Sequence, residues 1–176
     1  MSQGLARRML RAALLDAQLY EEVEADPAAF RQAFATVLLS ASAAGVGSLE
    51  NGGVAGIFGC AAASLFGWWA WAFATCQIGT RLLPAPETSS NVGELLRTLG
   101  FASAPGCLLA FALIDPLAAP LFLLCGAWML AAMVIALRQA LDYTSTLRAL
   151  MVCALGFPLF ALLVLGSLLW LGPWPL

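Results

Sequence analysis

The chain has 176 residues, 62% of them hydrophobic and 10% charged, with a net charge of −2. Soluble domains carry about 25% charged residues, so most of this chain has the bilayer as its solvent. All eight basic residues are arginines and none form a tract, which argues against nucleic acid as a partner. With no histidine, histidine-ligated metals, histidine-bound haem and every catalytic scheme with a histidine base are excluded.

Taken in order, Gly4 to Glu24 reads as one amphipathic helix. Leu5, Met9, Leu10, Ala13, Tyr20 and Val23 share an arc at 100° per residue, and Arg7, Arg11, Gln18 and Glu22 lie opposite. Such a helix rests in the headgroup region with Arg7, Arg8 and Arg11 near anionic lipid. The apolar run after Arg11 breaks at Asp16, too soon for a secretory core. Glu21, Glu22, Glu24 and Asp26 follow as an acidic cluster, either a solvated helix end or a docking surface for a basic partner. Asp26-Pro27 is a helix start signal. Residues 1–31 therefore form a cytoplasmic amphipathic helix and acidic segment, and residues 32–176 a transmembrane domain.

Five spans with little or no charge follow: Gln32 to Leu49, Asn51 to Thr80, Thr98 to Ile114, Pro116 to Leu137 and Ala149 to Leu171. A crossing takes roughly 17–25 apolar residues. The third is marginal, and it gains length from Val92 to Arg97, because Asn91 and Glu94 have capping-box spacing. Pro105 kinks it. In the second span Gly52, Gly56, Gly59, Ala63 and Gly67 recur every three or four residues, the spacing at which helices approach closely. That stripe serves packing within the bundle or, alternatively, a homodimer seam through Gly52, Gly56 and Gly59.

Every arginine falls on one side of the spans. Arg7, Arg8, Arg11 and Arg31 precede the first; Arg81 and Arg97 lie between the second and third; Arg138 and Arg148 lie between the fourth and fifth. The opposite connections hold only Glu50 and Asp115. Arginine-bearing loops stay cytoplasmic, which places the N-terminus inside and the C-terminus outside. Trp68, Trp69 and Trp71 suit the inner interfacial belt, and Trp170 and Trp174 the outer one.

The inventory for catalysis is thin. No paired carboxylates lie within the spans, Asp115 reads as a helix cap before Pro116, and no base serves a nucleophile. The five cysteines are scattered without CxxC spacing and read as small hydrophobes. Ser40, Ser42, Ser64, Thr75, Ser103 and Ser167 read as hydroxyls bonded to their own helix backbone. The expectation is a non-enzyme without cofactor or metal.

The polar stretch Arg138 to Arg148 bridges the last two spans. Arg138 and Asp142 have helical pairing distance, Thr144 or Ser145 can cap the following helix, and Arg148 can reach headgroups. Together with Arg97, Tyr143, Glu21, Glu22 and Glu24, these residues form the candidate interaction surface.

Three stretches are specific enough to suggest kinship: Gly93 to Gly106, Arg138 to Ala149, and Leu19 to Gly47. Gly100-Phe101-Ala102-Ser103-Ala104-Pro105 entering the third span, with an arginine-to-arginine loop before the last, resembles the bacterial branch of the Yip family. Those are integral membrane proteins with a Ypt/Rab-interacting-type domain. The resemblance implies an N-terminal cytoplasmic segment and five spans. Its eukaryotic members look like adaptors for prenylated small GTPases, and no prenyl or GTPase site is legible in this chain.

The sequence thus predicts an all-α, polytopic membrane helix bundle with five transmembrane helices and an N-terminal amphipathic cytoplasmic helix, set in a bacterial inner membrane. The expected function is a non-enzymatic scaffold or accessory subunit engaging membrane lipids and a membrane-protein partner. The alternative is a transporter or channel component for lipid or a neutral solute.

Overall fold

A computed structural model describes residues 4–47, 49–86 and 88–171; of 49–53, 55, 56, 115, 159, 161 and 163–171 it gives the backbone alone. The elements are α1 (Leu5–Ala13), α2 (Ala17–Ala25), α3 (Ala29–Gly47), α4 (Leu49–Gln77) and α5 (Val92–Ala102). A 3-10 helix (Ala104–Leu113), α6 (Asp115–Ala140) and α7 (Thr146–Leu171) complete the chain. A π-helical turn, Ile78–Leu82, closes α4. No strand occurs among the described residues.

Four stretches are long and apolar enough to cross a membrane: Ala29–Gly47, Ile57–Leu82, Val92–Leu113 and Pro116–Ala140. The α7 backbone continues over 26 residues, and its described apolar helix runs over Thr146–Pro158. The packing is that of a membrane bundle. In α3 the small Ala33, Thr36, Ser40, Ala41 and Ala43 are buried while Phe34 and Leu39 point outward. Large apolar side chains, among them Phe58, Leu123 and Phe157, cover the outer faces. Hydrocarbon solvates large apolar groups well, so helix contacts are left to small residues that let backbones approach.

The third span is the centre of the bundle, with 67% of its apolar window buried against 22–39% for the other three. Its N-terminus carries the expected capping box: Asn91 accepts from the Glu94 N–H, and Glu94 accepts from the Asn91 N–H. Pro105 does more than kink it. Having no N–H, it cannot continue the α ladder; α5 stops at Ala102 and the chain tightens into the 3-10 helix. That helix rises about 2.0 Å per residue instead of 1.5, which lengthens a span that is short by residue count.

Two glycines of the Gly93 to Gly106 stretch allow α3 to close on this span. A Cβ on Gly100 would stand 2.7 Å from the Ala33 Cβ, and one on Gly106 would overlap the Ser40 hydroxyl. In the second span, Gly67 faces Phe160 of α7, whereas Gly59 faces open space. The surroundings of Gly52 and Gly56 lie outside the described residues, as do Trp174 and the side chain of Trp170. Trp71 is buried against Phe157 and Phe160, a core position rather than an interfacial one. Thr75 and Ser103 bond their own helix carbonyls as expected.

Candidate functional site

The N-terminal segment is a hairpin of two helices, not one continuous helix. The chain breaks after Ala13 because Leu15 adopts a left-handed conformation (φ 61°), and Asp16 then caps α2 by accepting from the Gln18 N–H. Arg11 fastens the two arms, donating to Asp16 at 2.7 Å and to both Glu22 oxygens at 2.8 and 3.0 Å. Its guanidinium holds both carboxyls below the usual range. The Tyr20 hydroxyl donates to the Ala12 carbonyl across the hairpin.

Arg8 is not at a lipid surface. It is 6% exposed, donating to Asp26 at 3.0 Å and Gln32 at 3.0 Å, so it locks the hairpin onto the start of α3. Burying a guanidinium is tolerable only when it is paired in this way. The hairpin tip reaches along the bundle, where Trp128 Nε1 of α6 donates to the Ala13 carbonyl at 2.8 Å. Leu10 and Leu14 beside that tip are exposed.

The remaining candidates gather at one end of the bundle. Arg97 of α5 donates to the carbonyls of Val23 and Glu24, where the end of α2 has no backbone donors left to offer. Gln139 donates to Glu21 at 2.6 Å. Tyr143 donates to Leu83 and Gly79, and Thr88 donates to the Leu141 carbonyl at 2.9 Å. Arg148 donates to the Pro84 carbonyl. Each bond crosses between segments distant in sequence, and together they stitch the hairpin, the α4–α5 connection and the α6–α7 turn into one surface.

The expected Arg138–Asp142 pair does not form. Asp142 takes a left-handed conformation (φ 52°) just past the end of α6, which carries its side chain off the helical pairing position. Arg138 instead donates to the Tyr143 carbonyl and the Thr146 hydroxyl. Asp142, Glu21, Glu22 and Arg148 are exposed, and Tyr143 is buried. Glu24 is the electrostatic outlier. Burial, reinforced by Asp142 and Glu94, pushes its carboxyl up to about 7 against the opposing pull of Arg97.

Sequence reasoning missed Arg8, Thr88, Trp128 and Gln139 as fastening residues. Their partners lie 18 to 118 residues away, and no local pattern announces such contacts. The five cysteines are free, with Cys76, Cys125 and Cys153 buried. No cluster suited to a metal occurs among the described residues.

A family model described as the Yip1 domain matches residues 16–168, from the Asp16 cap of α2 into α7, leaving α1 ahead of the matched region. Searches of curated proteins and of solved structures found no match.

Proposed function

This chain belongs to the Yip1 domain family, and we propose that it is a non-enzymatic scaffold or accessory subunit of a bacterial inner membrane. In this reading residues 1–31 are a segment on the cytoplasmic side whose hairpin tip, bonded to Trp128 of α6, reaches along the bundle, and residues 32–176 are a five-span domain, N-terminus inside and C-terminus outside. The observation that carries it is the stitched end of the bundle. Arg97, Arg138, Tyr143 and Arg148 are bonded to carbonyls of other segments or turns. A rigid surface results, with Glu21, Glu22, Asp142 and Arg148 exposed on it. Preorganised polar surfaces of this kind suit a protein partner, because little ordering entropy is lost on docking.

Gentle detergent extraction from native membranes, followed by capture of the tagged chain, tests the proposal. A stoichiometric membrane-protein partner lost on Asp142→Arg supports it. Solute or lipid flux into proteoliposomes above that of empty vesicles overturns it in favour of a transporter or channel component. That second reading draws on an apolar, partly open cavity of about 450 Å³ lined by α3, α4, α5, α6 and α7.

A further inference from the structure

The α1–α2 hairpin does not stop at the stitched end of the bundle. Gln139 holds Glu21, and Trp128 holds the Ala13 carbonyl, so the hairpin follows α6 over eleven residues, about 16 Å at 1.5 Å per residue. Its first arm packs on the 3-10 helix as well as on α5 and α6. Asp115 and Arg138 stand 23 residues apart on α6, about 35 Å, slightly more than a hydrocarbon core about 30 Å thick. With the core centred between them, Trp128, ten residues from Arg138, lies roughly 12 Å inside its arginine-bearing face. The hairpin tip bonded to it is below the headgroups.

The make-up of the tip suits that depth. Irregular backbone is tolerated in a bilayer only where its polar groups are satisfied internally. Here the N–H groups of Leu14, Leu15 and Asp16 donate to the carbonyls of Leu10, Ala12 and Arg11. The Gln18 N–H donates to the Asp16 carboxylate, and the Ala13 carbonyl accepts from Trp128. Charge is compensated on the spot, because Arg11 bonds Asp16 and both Glu22 oxygens. Leu10 and Leu14, four residues apart on one face, are nevertheless 62% and 70% exposed. Exposed apolar groups continue past the tip with Leu124, one turn beyond Trp128, and with Leu108 and Phe111 of the 3-10 helix. Arg7 is exposed two turns before Leu14, about 10 Å nearer the headgroups, which its long stem can reach.

We infer that the hairpin is a re-entrant element, its tip inserted among the acyl chains of the leaflet on the arginine-bearing side. Leu10 and Leu14 are its lipid contacts. The partner is therefore the apolar part of the lipid rather than its phosphate, since Arg8 and Arg11 are bonded to Asp26, Gln32, Asp16 and Glu22. The inference rests on α6 crossing the membrane and not on the scaffold reading, whose surface lies at the other end of the hairpin.

The test places the photoreactive residue p-benzoylphenylalanine at Leu14 of the full chain and, in a second chain, at Leu10. Cells are grown on radioactive phosphate, and their membranes are irradiated before solubilisation and capture. Leu123, exposed midway along α6, serves as the lipid-facing reference, and Thr144, exposed on the α6–α7 turn, as the aqueous one. Phospholipid label at Leu14 and Leu10 should approach that at Leu123 and exceed that at Thr144 severalfold. All four positions are exposed, so elution volume and helical circular dichroism should match wild type, and either hairpin chain that meets this standard decides. Label no greater than at Thr144 overturns the insertion. A discrete cross-linked protein in place of lipid overturns it too, by making Leu10 and Leu14 a protein contact. Absence of label at Leu123 as well overturns the placement of α6 on which the depth depends.

Discussion

The Tyr143 hydroxyl lies 2.7 Å from the Leu83 carbonyl and 3.2 Å from that of Gly79, although sixty or more residues separate them. Both carbonyls belong to the π-helical end of α4, where the ladder leaves backbone oxygens to be satisfied. Burial pushes the Tyr143 phenol up, so it stays a donor throughout the physiological range. Tyr143→Phe keeps the ring and removes the donor. It should cost about 1–2 kcal/mol, read as a lower thermal midpoint in mild detergent, whereas Thr144→Val on the exposed side of the turn should leave the midpoint in place.

Helix approach at Gly100 gives a second prediction. Gly100→Ala sets a methyl 2.7 Å from the Ala33 Cβ, and overpacking of this kind costs about 1–3 kcal/mol. Ala33→Gly in the same chain removes the clashing carbon and should recover part of the loss. A double-mutant cycle showing strict additivity would sink this account of the α3–α5 contact.

Arg8 ties the hairpin to the start of α3 through its ion pair with Asp26. Arg8→Met should raise hydrogen exchange across residues 5–25 and speed tryptic cleavage at Arg11, leaving exchange in α5 and α6 unchanged. Arg8 holds the Asp26 carboxyl below its usual range. The pair's stabilisation is therefore present above the unfolded carboxyl value of about 3.9 and is lost as pH falls through the lower folded value. Hairpin exchange should rise only in strong acid.

Glu24 has the opposite sign. Its folded carboxyl is pushed up to about 7 from an unfolded value near 4.3. The folded state thus favours the protonated form, and that stabilisation is fully present below the unfolded value and lost as pH rises through about 7. The groups facing it are Asp142, Glu94 and Glu21, with Arg97 opposing them. The thermal midpoint should fall between about pH 4.3 and 7 in wild type, level off above that, and stay flatter in Glu24→Gln. Parallel curves would remove Glu24 as the titrating group.

Topology can be read with reporters. A periplasm-active enzyme fused after Ser90 should be silent, and one fused after Leu176 active. The reverse pattern would overturn the orientation inferred from the arginine loops.

The hydropathy of the chain and its Asn91–Glu94 cap determined a good deal. All-helical membrane class, the Asn91–Glu94 box and the break forced by Pro105 are local matters of transfer free energy and backbone donors, and a linear string carries them. Membership of the Yip1 domain family was legible in the same way, through Gly100 to Pro105 and the arginine-bearing turn. Tertiary structure alone decided how the polar residues are used. Arg8 looked like one of three lipid-facing arginines until Asp26 and Gln32 were brought beside it. Arg138 bonds Tyr143 and Thr146 instead of Asp142, because the left-handed Asp142 ends the helical register that spacing assumes. Ser40 and Trp71 likewise read as ordinary span residues until five helices met around them. Periodicity reports which face of a helix avoids water; which carbonyl lies within 3 Å of a given donor depends on how whole helices pack, and no window of sequence holds that.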